Sequence, residues 1–149
     1  LLNCALPVIK QAKTFLNDLD TMLFITDSQG VNLEITGDQN TIEKAGEIGL
    51  VHGSGWSETV SGSNAVGTAI ATNRPIQVHG GEHYCQGLKP WTCTASVITD
   101  PYDNQTIGVI DVSGLTNAFD QFHLPLVVAW SNQIQVALVQ KRAEEWNTI

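Results

Sequence analysis

The sequence predicts an α+β domain built on a mostly antiparallel sheet. Two observations carry this prediction: β-prone runs are joined by short turn-rich segments, and apolar stripes with helical spacing stand at both ends of the chain. Strands joined as hairpins pair antiparallel, and helices flanking them cover a face of the sheet. The 149 residues suit one substantial core, so we expect a single domain over residues 1–149.

The first element is an amphipathic helix, predicted over about residues 1–19. Pro7 falls within this helix, either in its first turn or as a kink, which makes 7–18 the firmest helical stretch. The apolar residues recur at spacings of three and four, which is the spacing of one helical face. They are Leu2, Ala5, Ile9, Ala12, Leu16 and Leu19.

A β-hairpin and two short helices are predicted next. The β-prone runs 22–26 and 31–36 flank a turn-rich tetrapeptide. Residues 37–63 are rich in Gly, Ser and Glu and lack a clear period, so we expect loops with one short helix near 41–46. Asn64 is a favourable N-cap for a second short helix over 65–72.

Three further strands are predicted in the second half of the chain. Ile76 and Val78 alternate within residues 75–79, and residues 80–90 are expected to form a loop. The runs 92–99 and 106–113 flank a strong turn signal, which predicts a second hairpin.

The last helix, predicted over about residues 125–146, is apolar on two sides. One face can cover the sheet, and the other either meets a partner chain or is buried within the same domain. We expect a homodimer formed through the terminal helices. The first face comprises Val127, Trp130, Ile134 and Leu138, and the second comprises Val128, Val136 and Val139.

Charge and composition exclude several classes of protein. The net charge is −8 and the seven basic residues are scattered, so we expect no direct contact with nucleic acid. No window has the roughly 18 apolar residues of a membrane span, and no signal peptide is visible. Three cysteines are too few for a secreted disulfide framework, which favours a cytoplasmic protein. Because the chain begins at Leu1 and both ends are predicted helices, we expect a fragment of a longer protein.

Five segments in the central part of the chain stand in a distinctive order. Together they resemble the N-terminal GAF domain of sigma-54-dependent activators of the acetoin catabolism regulator type. The resemblance covers about residues 20–115, and the flanking helices match in kind. The segments are Gly55-Trp56-Ser57-Glu58, Gly62-Ser63-Asn64-Ala65-Val66-Gly67-Thr68-Ala69, Gly80-Gly81-Glu82-His83-Tyr84, Trp91-Thr92-Cys93-Thr94-Ala95 and Ile110-Asp111-Val112-Ser113-Gly114.

This resemblance implies a GAF fold: a central antiparallel sheet with the N- and C-terminal helices on one face and a ligand pocket on the other. It also implies a sensory role, in which the domain controls an ATP-driven domain acting on sigma-54 RNA polymerase. The chain has no phosphate-binding loop and no basic recognition helix, so it would be the sensor alone. The patterns of cyclic-nucleotide, bilin-binding and methionine sulfoxide reductase GAF domains are not matched, and we expect no cofactor.

The candidate ligand-binding residues are aromatic, thiol and acidic side chains of this central part. A small ketone, diol or alcohol such as acetoin would find one or two hydrogen bonds and aromatic walls among them. Asp111 stands in an otherwise apolar strand, where it either accepts a ligand hydroxyl or lies at a solvated edge. The others can equally be core aromatics and a satisfied loop histidine. The candidates are Trp56, His83, Tyr84, Trp91, Cys93 and Asp111.

Two alternative functions use overlapping residues. His79, His83, Cys85 and Cys93 offer ligands for zinc, iron or haem, but no Cys-x-x-Cys pair is present, so we predict no metal. Cys85 and Cys93 could instead form a thiol redox switch, if they are neighbours. The remaining alternative is a dimerisation module with a vestigial pocket.

Catalysis is not predicted. Gly53-Ser54-Gly55 lacks the strand–turn–helix context of a nucleophile elbow. The paired carboxylates Glu144 and Glu145 are expected on a solvated helix end. We therefore expect a regulatory domain and not an enzyme.

Overall fold

The part of the chain that the structure describes forms a five-stranded antiparallel sheet covered by helices on both faces. The computed structural model describes residues 1–17, 19–56, 64–80, 90–116 and 122–147. In these residues the helices are α1 (Leu2–Leu16), α2 (Gln39–Glu47), α3 (Ala65–Thr72) and α4 (His123–Asn147), and the strands are β1 (Thr21–Asp27), β2 (Asn32–Gly37), β3 (Ile76–His79), β4 (Trp91–Thr99) and β5 (Thr106–Leu115).

The strand order is β2-β1-β5-β4-β3, and every neighbouring pair is antiparallel. Both predicted hairpins are present, β1–β2 and β4–β5. The pairing of β1 with β5 joins distant parts of the chain and places β5 at the centre of the sheet. Within β5, Asp111 lies between Phe24 of β1 and Ala95 of β4. The predicted α+β class and antiparallel sheet are confirmed.

The terminal helices α1 and α4 cover one face of the sheet, as predicted. Val8 and Leu16 of α1 and Ile134 of α4 pack in one cluster with Leu23 and Ile110 of the sheet. These side chains are removed from water almost completely, and each full burial contributes about 1.5–3 kcal/mol to the hydrophobic effect. Helices distant in sequence are thereby fixed to each other through the sheet.

The outer faces of the terminal helices differ in part from the prediction. α1 ends at Leu16, so Leu19 lies beyond it and is 49% exposed, and Pro7 lies inside the helix. Val136 and Val139 are 57% and 39% exposed. The alternative that this second face of α4 is buried within the domain is therefore wrong for these two residues.

Helices α2 and α3 lie on the opposite face of the sheet. The carboxylate of Asp38 accepts hydrogen bonds from the backbone N–H and hydroxyl of Thr41, which caps α2. Asn64 caps α3 through its side-chain oxygen, which accepts from the N–H of Gly67 at 3.0 Å. This confirms the predicted N-cap.

The C-terminal half of α4 contacts the turn between β4 and β5 through the side chains of Gln135 and Arg142. The N–H of Thr99 donates to the side-chain oxygen of Gln135 at 3.0 Å. The guanidinium of Arg142 pairs with the carboxylate of Asp100 and lies 5.2 Å from the ring centre of Tyr102. In the part of the chain that the structure describes, no helix is long and apolar enough to cross a membrane.

Candidate functional site

A small cavity lies between the sheet and the segment that leads into α3. Its volume is about 10 Å³, which is close to the minimum for one water molecule. Strands β1, β4 and β5 form its floor, and Leu50, Trp56, Asn64 and the first turn of α3 form its roof. The lining residues are Phe24, Leu50, Trp56, Asn64, Ala65, Val66, Cys93 and Asp111.

The cavity brings together three of the six predicted site residues, Trp56, Cys93 and Asp111. Trp91 is buried in the same hydrophobic cluster but does not line the cavity. It pairs with Leu115, whereas Asp111 pairs with Ala95 four residues further along β4. His83 and Tyr84 lie outside the residues that the structure describes.

Trp56 is held over the cavity by hydrogen bonds at three points, and in one of them its backbone N–H donates to the carbonyl of Gly30 at 2.9 Å. Its indole N–H donates to the hydroxyl of Ser54 at 2.8 Å. Its carbonyl accepts from the side-chain amide of Asn64 at 2.9 Å. Since the oxygen of the same amide caps α3, Asn64 fixes the position of Trp56 relative to the helix that forms the roof.

Asp111 is the polar group at the floor of the cavity. It is fully buried, so the alternative that it lies at a solvated edge is wrong. The hydroxyl of Ser113 donates to its Oδ1. Its Oδ2 has no hydrogen-bond partner among the described residues, and an unpaired buried polar atom costs about 1–3 kcal/mol.

Burial changes the ionisation of both titratable groups in the cavity. It raises the pKa of Asp111 from 3.8 to about 8, against the opposing effect of the Ser113 hydrogen bond. Burial also raises the pKa of the Cys93 thiol well above its ordinary value, and the charge of Asp111 raises it further. At neutral pH the cavity therefore holds a carboxylic acid and a thiol, both uncharged.

This arrangement is unfavourable for the predicted alternative of a metal site. Metal ligation and thiol exchange both use the thiolate, which the surroundings of Cys93 disfavour. His79 follows Val78, which packs on the same face as Cys93, so His79 projects from the opposite face of the sheet. Its Nδ1 lies 3.0 Å from the hydroxyl of Thr92. No three possible metal ligands cluster within the described ranges, and His83 and Cys85 lie outside them.

A much larger cavity, about 670 Å³, lies on the opposite side of the molecule. We call it the terminal groove. It runs between the C-terminal end of α1 and the start of α4, and three of its lining side chains are largely exposed: Phe15 at 57%, Leu19 at 49% and Phe122 at 65%. Open apolar surfaces of this kind are typical of contacts with other proteins. Its lining residues are Phe15, Leu16, Leu19, Asp20, Thr21, Phe122, His123, Pro125, Leu126 and Ala129.

Sequence reasoning missed the apolar lining of the small cavity. Phe24, Leu50 and Val66 have no signal that separates a cavity wall from an ordinary core residue. Asn64 was identified as a helix cap, and the structure adds its second bond, to the carbonyl of Trp56. No spacing rule gives that bond, because it joins residues eight positions apart in the sequence.

The sheet order, the terminal helices on one face and the cavity on the other are the arrangement of a GAF-type domain. The chain belongs to the MimR N-terminal domain family, whose model matches residues 1–137. This confirms the resemblance to transcription activators of the acetoin type.

Two relatives illustrate the relationship. A signal-transduction and transcriptional-control protein of Clostridium beijerinckii is 33% identical over 144 residues, which is 97% of this chain and 23% of the relative. The acetoin dehydrogenase operon transcriptional activator AcoR of Bacillus subtilis is 34% identical over 112 residues, which is 75% of this chain and 18% of the relative. The chain thus spans about a fifth of these relatives, and their regulatory names agree with the expectation of a regulatory domain rather than an enzyme.

Solved structures support the fold. The crystal structure of the E. coli DhaR(N)–DhaL complex matches 99% of this chain and 50% of that chain, with a TM-score of 0.93 and 20% identity. The GAF domain region of a putative membrane protein from Geobacter sulfurreducens matches 92% of this chain and 93% of that chain, with a TM-score of 0.58 and 15% identity. The GAF fold predicted from the resemblance is confirmed.

Proposed function

We propose that this domain is the small-molecule sensor of a bacterial sigma-54-dependent transcription activator and acts in the cytoplasm. Its effector is a small ketone, diol or alcohol such as acetoin. The observation that carries the proposal is the buried carboxyl group of Asp111, whose Oδ2 has no described partner at a cavity with aromatic walls. The relationship to regulators of catabolic operons, acetoin catabolism among them, supports the same class of effector.

The cavity in this structure is the closed state of the proposed pocket. About 10 Å³ is too small for a compound with four carbon atoms, so binding requires movement of its roof. Trp56 and the N-terminal turn of α3 are the roof elements, and Asn64 joins them. A ligand that holds them apart from the sheet selects an open state, and that selection is the physical basis of a signal.

The energetics set the range of affinity for such an effector. A compound of about six heavy atoms gains at most about 9 kcal/mol, at about 1.5 kcal/mol per atom. This ceiling corresponds to a submicromolar Kd, and the cost of opening the roof weakens the affinity further. The domain therefore suits an abundant carbon source present at micromolar to millimolar concentration.

The experiment that tests this function is thermal unfolding against a panel of small ketones, diols and alcohols that includes acetoin. A ligand at 100 times its Kd stabilises the folded state by about 2.7 kcal/mol. For a domain of this size the corresponding rise in Tm is roughly 5 to 10 °C. The rise should be lost in the Asp111→Leu variant and kept in Asp103→Asn, a change at an exposed position. A panel without any shift at millimolar concentrations contradicts the proposal.

We also propose that the domain works as a homodimer through its terminal helices. Pro125, Ala129 and Val136 are spaced by four and seven residues and share the outer face of α4. Pro125 and Ala129 also line the terminal groove, and the turn between Ala129 and Val136 carries the polar residues Asn132 and Gln133. Because α4 packs on the sheet that carries the pocket, a contact between the α4 helices of two copies would change when a ligand binds in the pocket.

A further inference from the structure

The position of Asp111 restricts which ligands the cavity can accept. Strand β5 is the middle strand of the sheet, and Asp111 is paired with neighbours on both sides, Phe24 and Ala95. Its side chain projects to the same face as Val109, two residues earlier, which packs with Phe24 and Cys93. The carboxyl group therefore lies beneath the roof, far from any edge where water could solvate it.

No described lining residue balances a negative charge at this position. Phe24 on β1, Ala65 and Val66 on α3, and Leu50 and Trp56 of the roof carry no titratable group. Cys93 on β4 is the one other titratable side chain among the described lining residues, and as a thiolate it would add a second negative charge. A buried carboxylate without a cation is strongly disfavoured, and burial accordingly raises the pKa of Asp111 to about 8.

The uncharged acid has a hydrogen-bonding capacity that the carboxylate lacks. Ser113 donates to Oδ1, so the proton of the acid resides on Oδ2, the oxygen that has no described partner. A protonated Oδ2 donates to a ligand carbonyl or hydroxyl and retains a lone pair for a ligand hydroxyl. A carboxylate ligand would bring a negative charge into the same space, where the described lining offers no cation to pair with it.

We propose that Asp111 binds the effector as a carboxylic acid, so that the cavity selects uncharged hydroxy and carbonyl compounds and excludes their carboxylate analogues. This inference rests on the sensor function proposed above and adds a chemical rule by which the sensor distinguishes uncharged compounds from carboxylates. Acetoin and lactate form a matched pair for that rule. Both carry a hydroxyl on a methyl-bearing carbon, and they differ in that a methyl ketone in one replaces a carboxylate in the other.

The first test needs no ligand. The side-chain carboxyl carbon of Asp111 is followed by ¹³C NMR from pH 4 to 10 and is assigned by its loss in the Asp111→Asn variant. We expect its resonance to titrate near pH 8. Titration of Asp111 below pH 5 would show a carboxylate at neutral pH and overturn the inference.

The second test compares acetoin, 2,3-butanediol and lactate by thermal shift between pH 6 and 9.5. We expect the two neutral compounds to stabilise the domain at pH 6–7 and lactate to have no effect at equal concentration. Above pH 8 the Kd of the neutral compounds should rise about tenfold per pH unit, because binding then requires uptake of one proton. In the Asp111→Asn variant, which keeps a neutral donor and acceptor, any binding should be independent of pH.

The outcomes separate the two proposals. If lactate binds as well as acetoin, or if Asp111→Asn retains the pH dependence of the wild type, the selection rule is wrong while the sensor function stands. If neither neutral compound nor any other member of the neutral panel binds, the sensor function fails and the rule fails with it. The NMR titration still shows, in that case, whether Asp111 is an acid at neutral pH.

Discussion

Asn64 joins Trp56 to the first turn of α3 with one side chain. Its amide N–H donates to the carbonyl of Trp56 at 2.9 Å, and its amide oxygen accepts from the N–H of Gly67 at 3.0 Å. Both bonds are buried, so neither partner can exchange them for water without opening the roof of the cavity. The bond that caps a helix and the bond that holds the aromatic roof thus come from a single residue.

The first prediction follows from this double role. Asn64→Ala removes the cap of α3, worth about 0.5–2 kcal/mol, and leaves the carbonyl of Trp56 unpaired, at a further cost of about 1–3 kcal/mol. We expect a total loss of roughly 2–4 kcal/mol in the free energy of unfolding, measured by urea denaturation. Asn64→Ser can restore the cap of α3, but its hydroxyl cannot reach the carbonyl of Trp56 as the amide does. It should therefore recover only the smaller part of the lost free energy of unfolding, the part that the cap contributes. Equal losses in both variants would contradict a separate role for the bond to Trp56.

A second prediction concerns the reactivity of Cys93. The thiol is buried under the roof, and its surroundings hold the proton on sulfur, so alkylation of the folded protein at pH 8 should be slow. In the Asn64→Ala variant the roof should open more often. The rate of alkylation of Cys93 should then rise by the factor that corresponds to the loss of local stability in the roof, at least about tenfold. Peptide mass spectrometry after timed exposure to iodoacetamide measures that rate.

Cys4 provides the internal control for this experiment. It is also buried, but it packs in the cluster beneath the terminal helices on the other face of the sheet. If the roof opens locally, the rate at Cys4 is unchanged by Asn64→Ala. Parallel acceleration of both cysteines would indicate unfolding of the whole domain and would remove the evidence for a roof that moves by itself.

The fold was predictable from the sequence where the signals are local. The turn between β1 and β2, the N-cap at Asn64 and the apolar stripe of α1 each depend on residues within about one turn or hairpin of each other. The order of the strands is not local. Because β5 inserts between β1 and β4, Asp111 is fully buried at the centre of the sheet, and the sequence alone left that point open between a pocket and an edge.

The site was predictable only in part for the same reason. Trp56, Cys93 and Asp111 carry distinctive chemistry and could be chosen from the sequence, but Trp91 has equally distinctive chemistry and does not line the cavity. The difference is its place along β4, opposite Leu115 and away from Asp111, which depends on the pairing register. The apolar walls, such as Phe24 and Leu50, are indistinguishable from core until the tertiary structure is known.

A third prediction concerns stability against pH. The folded-state pKa of Asp111, about 8, lies above its ordinary value of 3.8. The folded state therefore retains a proton that the unfolded state releases between about pH 4 and 8, and the stability contributed by this group falls as the pH rises through that window. At 1.36 kcal/mol per unit the full loss is about 6 kcal/mol. Above pH 8 the contribution is constant.

The Asp111→Asn variant tests this directly, because it is neutral at every pH. We expect it to match the wild type most closely near pH 4–5 and to become progressively more stable than the wild type up to pH 8, in urea denaturation at each pH. Asp103→Asn, at an exposed position on the β4–β5 turn, should follow the wild-type curve throughout. A constant difference between Asp111→Asn and the wild type from pH 4 to 9 would mean that Asp111 ionises normally.

A fourth prediction concerns the attachment of α4. Arg142 pairs with Asp100 and stacks on Tyr102, but the guanidinium side chain is 45% exposed, so solvent screens the pair. Arg142→Gln should lower global stability by only about 1 kcal/mol. Its larger effect should be local: faster amide hydrogen exchange in α4 beyond Gln135, with residues 127–134 unchanged, because those pack on the sheet. Lys141→Gln, at the adjacent exposed position, is the control and should leave both regions as in the wild type.

The fifth prediction tests the proposed homodimer. Val136 is 57% exposed on the outer face of α4, where a second copy would bury it. Val136→Glu places a charge in that contact, and two charges meet across a two-fold axis. We expect the variant to be monomeric at concentrations at which the wild type is dimeric, as measured by light scattering after size exclusion.

The matched control is Val51→Glu. Val51 is also largely exposed, at 46%, but it follows α2 on the other side of the sheet, away from the terminal helices. The same charge at that position should leave the dimer intact, which separates loss of the contact from a general effect of net charge. Because α4 of each copy carries the contact, dissociation by Val136→Glu should leave the ligand-induced rise in Tm in place while removing its dependence on protein concentration. A wild-type chain that is monomeric throughout the micromolar range, or a Val136→Glu variant that still dimerises, would place the contact elsewhere than on the outer face of α4.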